Sequence, residues 1–177
     1  MSKPRLATVW LDGCSGCHMS FLDLDEKLLD VLKLADLVYS PLVDTKQYPD
    51  EVDVVLVEGA VSSDEDLAKL LKVRKHTKVL VAFGDCAVTS NVPAMRNRWS
   101  PEEIEKQIYV DNVQQNPGVP SRVVPKLLPQ SRPIHEFVKV DVFVPGCPPS
   151  AETILFVVSE ILAGRTPDLA GKTHFGA

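Results

Sequence analysis

The sequence has no long apolar run, no excess of basic residues and only four cysteines. Each shortage removes a class of protein. Its most apolar stretch, 154–163, is interrupted by Ser159 and Glu160 and falls well short of the roughly 20 residues a spanning helix needs. Lysine and arginine number 19 against 24 acidic residues, for a net charge of −5. Nucleic-acid binders concentrate positive charge in a stripe or patch. The one locally basic stretch, 72–78, reads as a helix end, where cations are favoured, so nucleic acid is not an expected partner. The opening residues MSKPRLATVWLDG carry no apolar signal core, which makes a cytoplasmic location the expectation. No G-x-G-x-x-G follows a strand, so the usual dinucleotide route is missing. There is no internal repeat and no low-complexity segment. What is there is a 177-residue chain, 45% hydrophobic and 24% charged, the balance of one globular domain, 1–177, with a real core.

Apolar, β-branched runs alternate with helical patterns. Residues 6–11, 35–40, 52–57, 79–83 and 140–144 read as strands. Ser20 is expected to cap a helix carrying Phe21, Leu24, Leu28, Val31 and Leu32. Ser63 caps another, with Asp64, Glu65 and Asp66 in its first turn and Leu67, Leu70 and Leu71 as its stripe. Ser150 caps a last one with Ile154, Leu155, Val158, Ile161 and Leu162 inward, closed by Gly164. This alternation implies an α/β fold with a flavodoxin-like, open, mainly parallel sheet and helices on both faces. Strand order is not readable from the sequence. The stretch 89–136 breaks the rhythm with Pro93, Pro101, Pro117, Pro120, Pro125, Pro129 and Pro133. One short helix starts there at Ser100, whose Glu103 completes a capping box; the rest reads as a long loop excursion. Loops of that length are functional or lie on a partner. The excursion and the tail 170–177 are expected to be ordered mainly by neighbouring chains.

The four cysteines are Cys14, Cys17, Cys86 and Cys147. Cys14 and Cys17 follow the first expected strand, Cys86 the fourth and Cys147 the fifth. In an open parallel sheet the carboxyl ends of the strands share one edge, where such folds bind ligands. Four thiols scattered through the chain thus meet in one place, enough for one 4Fe–4S cluster with none left over. Gly13, Gly16, Gly84 and Gly146 flank them and free backbone N–H groups to turn toward sulfur. Pro148 after Cys147 makes the Cys-Pro step familiar from iron–sulfur proteins. Other readings compete. A structural zinc site would use the same thiols, although such sites usually show two close pairs. A redox dithiol at Cys14 and Cys17 would resemble a thioredoxin-type arrangement and act as a thiol–disulfide oxidoreductase, leaving Cys86 and Cys147 without a role. Unrelated buried cysteines are a third alternative.

The stretch WLDGCSGCHMSFLD, residues 10–23, resembles the proximal-cluster motif in small subunits of nickel–iron hydrogenases. Val57-Glu58-Gly59-Ala60, Gly84-Asp85-Cys86-Ala87 and Pro145-Gly146-Cys147-Pro148-Pro149 resemble that family's next landmarks, in order. The nearest likeness is to cytoplasmic NAD-reducing, or bidirectional, hydrogenases. Periplasmic relatives carry a twin-arginine leader and two further clusters, and no cysteine follows Cys147 here. The related subunit of NADH:quinone oxidoreductase, the alternative assignment, has adjacent cysteines at the first motif, where Ser15 and Gly16 stand here. The resemblance implies that Cys14, Cys17, Cys86 and Cys147 ligate the cluster nearest a nickel–iron centre on a separate large subunit. Electrons would then pass to further clusters, FMN and NAD on iron–sulfur and flavin diaphorase subunits.

Beyond the ligands, Glu58 stands at a strand end on the same edge. It is a candidate for an interface or proton-transfer role; the alternative is a solvated carboxylate. Asp85 stands where relatives often have threonine. His18, His76, His135 and His174 read as structural or solvated. FMN is a further candidate ligand, with Thr89, Ser90 and Asn91 as phosphate donors or, more simply, as turn residues.

Overall fold

In the computed structural model residues 2–176 are described; Met1 and Ala177, the outermost positions of the expected 1–177 domain and 170–177 tail, lie outside them. Five strands form one parallel sheet: β1 (Arg5–Trp10), β2 (Asp36–Tyr39), β3 (Val52–Glu58), β5 (Thr77–Phe83) and β7 (Val142–Val144), in the order β2-β1-β3-β5-β7. Counting only these strands, the order is 2-1-3-4-5, the flavodoxin-like arrangement whose switch point lies between the first and third strands. Alternation along each strand splits the core in two. Ala7, Val9, Val55, Val57, Leu80 and Ala82 face α3 (Asp64–Lys75). Leu6, Val54, Leu56, Val81 and Phe83 face the other way, toward α1 (Gly16–Leu22), α2 (Glu26–Leu34) and α6 (Ala151–Leu162). Thr8 and Glu58 share the parity of this second face, which turns two polar side chains inward under α1.

The caps at Ser63 and Ser150 form as expected, and Gly164 takes a positive φ of 74° after α6. Ser20 is not a cap. The helix it was expected to start begins five residues earlier, with Ser15 at the cap position, left-handed at φ 64°, and ends before a break at residues 23–25. Ser20 lies inside α1 and donates its hydroxyl to the Pro149 carbonyl at 2.6 Å. A tertiary bond has displaced a local one. In α3 the buried stripe is Leu70 and Val73, while Leu71 is half exposed.

The excursion is more structured than a loop. Following α4 (Asp85–Thr89), it holds a 3-10 turn (Pro93–Arg98), α5 (Pro101–Lys106) running into a π turn (Gln107–Asp111), and β6 (Leu127–Arg132). β6 pairs antiparallel with β4 (Val61–Ser63) in a separate two-stranded sheet. Pro129 hides β6 from a sequence reading, since proline disqualifies central strands but is tolerated on an edge. Arg96 donates to the Ser62 and Leu128 carbonyls, both at 2.9 Å, and Asn97 brackets the Ser131 backbone. This chain therefore orders much of the excursion itself.

An ion pair ties α3 to the start of β7. Burial opposes ionisation of Asp141, but the Leu80 N–H at 2.9 Å and the Arg74 guanidinium at 2.6 Å outweigh it and hold the carboxyl below its ordinary range. A lowered carboxyl stabilises the fold above the unfolded-state value, about 3.9, and loses that contribution as pH falls through the folded value. Asp141→Asn is thus expected to cost about 1 kcal/mol at neutral pH. In urea titrations the gap to the parent should close as pH falls below about 4.

Candidate functional site

The carboxyl ends of β1, β3, β5 and β7 bring together the four cysteines, their flanking glycines and Glu58. Cys14 is exposed and Cys147 partly so; Cys17 and Cys86 are buried. The thiols lie close enough to act on one another. Burial first, then the Glu58 carboxylate and the other three thiols, pushes Cys17 up. Burial pushes Cys86 up to about 11, against a hydrogen bond from the Val92 N–H, with Cys14 and Cys147 adding to the rise. Among the described residues no three His, Cys, Asp or Glu side chains converge as one metal ion requires.

Donors point at the sulfurs. The Gly16 N–H reaches Cys14 Sγ at 3.4 Å and the Asn91 amide reaches Cys147 Sγ at 3.5 Å. The other glycines serve space and conformation instead. Gly84 has φ 83°, its N–H goes to the Val144 carbonyl at 2.8 Å, and a Cβ there would run into Cys17 Sγ. Gly146, at φ 140°, sends its N–H to Asp85. Gly13 packs on the Gly59 backbone. Pro148 follows Cys147 through a cis peptide bond.

Glu58 is 1% exposed, so it is neither solvated nor available for contact with a partner's surface. Its carboxylate does what no side chain of α1 does: it caps the helix from below. One oxygen accepts the Cys17 N–H at 3.2 Å; the other accepts the His18 N–H at 3.0 Å and meets His18 Nδ1. On the far side of the ring, Nε2 lies 3.0 Å from Thr8 Oγ1, which itself donates to Ser40 Oγ at 2.8 Å. The ring is thereby held from both sides, by the Glu58 carboxylate at Nδ1 and the Thr8 hydroxyl at Nε2. His18, 2% exposed, is the residue the sequence reading undervalued. The signal was available: Glu58 shares the parity of Val54 and Leu56, and a buried carboxylate needs a partner.

The expected phosphate donors are already engaged. Thr89 Oγ1 donates to the Asp85 carbonyl, Ser90 is buried against Ser131, and Asn91 faces Cys147. Ser90 is buried, while Thr89 and Asn91 stay exposed with these bonds made inside the chain. His76 pairs with Asp50 at the end of α3.

A family model described as NADH ubiquinone oxidoreductase, 20 kDa subunit, matches residues 14–161. The NAD-reducing hydrogenase HoxS subunit delta of Cupriavidus necator is 39% identical over 177 residues, 97% of this chain and 85% of that protein. An F420-non-reducing hydrogenase vhu subunit of Methanocaldococcus jannaschii is 37% identical over 95% of this chain, which spans 59% of that protein's length. For the corresponding F420-non-reducing hydrogenase subunit of Methanothermobacter marburgensis, at 39% identity, the span is 56%. A chain in the crystal structure of an NAD+-reducing [NiFe]-hydrogenase in the H2-reduced state superposes with a TM-score of 0.93 at 39% identity, covering 98% of this chain and 99% of that one. Among the described residues no helix is long and apolar enough to cross a membrane.

Proposed function

The chain belongs to the NADH ubiquinone oxidoreductase 20 kDa subunit family, and from that membership we propose that it is the electron-transfer small subunit of a cytoplasmic, NAD-linked nickel–iron hydrogenase. One observation carries the reading: four thiols from three separated strand ends gather on one sheet edge, with N–H groups aimed at two of the sulfurs. Cys14, Cys17, Cys86 and Cys147 would hold one 4Fe–4S cluster. That cluster, when bound, supplies one-electron storage. Such a cluster gives each thiolate its own iron and needs no convergence of three donors on one point. Raised thiols also fit a site that ionises only when metal offsets the charge.

The chain's own residues then have distinct tasks. Buried Cys17 and Cys86 keep water from the inner side. Gly16 and Asn91 donate to sulfur, which raises the reduction potential by favouring the electron-rich state. Glu58, steadied by His18, fixes the turn between Cys14 and Cys17. The nickel–iron centre belongs to a large-subunit partner, and further clusters, flavin and NAD to diaphorase partners.

Purification of the assembled complex without oxygen is expected to yield about four iron and four sulfide attributable to this chain. Cys86→Ala is expected to remove them and with them hydrogen-dependent NAD reduction. A thiol–disulfide oxidoreductase working through Cys14 and Cys17 alone would keep turning over in Cys86→Ala. A colourless complex holding one zinc on this chain would also defeat the proposal.

A further inference from the structure

The surroundings of Asp85 are unusual for a carboxylate. It is 4% exposed, and among the described residues no lysine, arginine or histidine forms an ion pair with it. Its charge is met by backbone N–H groups. One carboxylate oxygen accepts the Gly146 N–H at 2.6 Å, and the other accepts the Gly176 N–H at 2.7 Å. The Asp85 N–H returns to the Gly146 carbonyl at 2.9 Å, and the Cys147 N–H donates to the Gly176 carbonyl at 3.2 Å. Three distant pieces of chain are thereby tied together: the turn before Cys86, the turn before Cys147, and the segment 172–176. The last is also fastened to α6, through Thr153 Oγ1 to the Lys172 carbonyl at 3.0 Å and through Lys172 Nζ over the Phe156 ring at 4.5 Å. The expectation that neighbouring chains order this tail gives way here: its described part is seated by its own chain.

We propose that Asp85 is a positioning residue that sets Cys86 and Cys147 in register and straps segment 172–176 across the Cys147 corner of the site. The inference rests on the reading of the four cysteines as cluster ligands. Each of these sequence neighbours matters to the geometry. Asp85 precedes Cys86, and Gly146 precedes Cys147, so a carboxylate that holds Gly146 fixes the separation of the two sulfur-bearing residues. Charge-assisted N–H bonds are roughly twice as strong as neutral ones, and two made by one buried side chain leave little play. Gly176 closes the arrangement by gripping Cys147 itself, with φ at 80°. The fixed negative charge has a second effect. It adjoins Cys86 in sequence and is hydrogen-bonded to Gly146, the residue before Cys147, and net charge near a cluster sets its potential.

The test uses the assembled complex, purified without oxygen, with Asp85→Asn and Gly176→Pro. Asparagine keeps the shape but turns one acceptor into a donor facing an N–H. Proline removes the strap's donor and cannot adopt its φ, while leaving Asp85 charged. In Asp85→Asn, amide exchange across 172–176 is expected to rise about tenfold, as follows from losing one charge-assisted bond. Iron release to a chelator should quicken by a similar factor, and the cluster's midpoint potential should move upward. Gly176→Pro should reproduce the faster exchange and iron release with a smaller potential shift, because the charge stays. A role confined to fold stability would move neither the potential nor the contrast between variants. Parent-like potential and iron release in Asp85→Asn would overturn the proposal. If Asp85→Asn does not assemble, Gly176→Pro decides: parent-like iron release there overturns the strap, and faster release upholds it. Failure of the underlying ligand reading looks different, because the parent itself would then hold no iron on this chain.

Discussion

Gly84→Ala is expected to abolish iron retention while the equivalent change at Gly118 does nothing. Gly84 joins β5 to α4 at φ 83°, a conformation that costs a side-chain-bearing residue about 1–3 kcal/mol. An added Cβ would also strike Cys17 Sγ, and the Gly146 carbonyl lies 3.5 Å away on the other side. Relief requires moving Cys17, which α1 and Glu58 hold, or moving the end of β5, which the Val144 carbonyl holds. The methyl group and the sulfur cannot share the space, so overpacking adds about 1–3 kcal/mol more. The sum, about 2–6 kcal/mol, is large against the total stability of a domain this size. Iron content and urea unfolding of the anaerobically purified protein check the claim. A methyl group added at Gly118 would meet nothing within 4 Å, so Gly118→Ala should match the parent in both. Parent-like iron in Gly84→Ala would mean that the Cys17 turn is not held as described.

Glu58→Ala should be the most destabilising polar substitution. It strands the Cys17 and His18 N–H groups and leaves the His18 ring facing a void, all within the protein interior. Removing one member of a buried, hydrogen-bonded pair costs about 3–5 kcal/mol, most of it from the partner left uncompensated. Glu58→Gln should cost less, about 1–2 kcal/mol. Its carbonyl oxygen still accepts an amide, and its NH2 can donate to a neutral His18 Nδ1. A double-mutant cycle with His18→Ala separates the terms: once the histidine is gone, Glu58→Ala should cost at least about 0.5 kcal/mol less than in the parent. Additive losses would show that the two side chains are not coupled.

Much of this site was legible before the fold was. Strand periodicity placed each cysteine after a strand, and parallel topology then required the thiols to share an edge. What stayed hidden depends on contacts across long stretches of sequence. Ser20 reads as a cap because capping is local, but the Pro149 carbonyl that takes its hydroxyl is 129 residues away. His18 reads as unpartnered because Glu58 is 40 residues away. β6 escaped because three of its six residues are proline, glutamine and serine, poor signals of a strand whose pairing is on an edge. Asp85 escaped for another reason. Its two partners are backbone N–H groups of glycines, which leave no pattern of complementary side chains to find.

The connection between β5 and β7 has a consequence for biosynthesis. Cys14, Cys17 and Cys86 lie in the first half of the chain, while the last thiol is carried past the excursion, 61 positions after Cys86. At ribosomal speeds of about 5–20 residues per second, the nascent protein spends about 3–12 seconds with three thiols made and the fourth still unmade. β7 is then held by only three ladder pairs, all to β5. The fourth thiol thus follows the shortest strand of the parallel sheet, at one of its two edges. On the proposed ligand set, the site is complete only once β7 has been made and has joined β5 at the sheet edge.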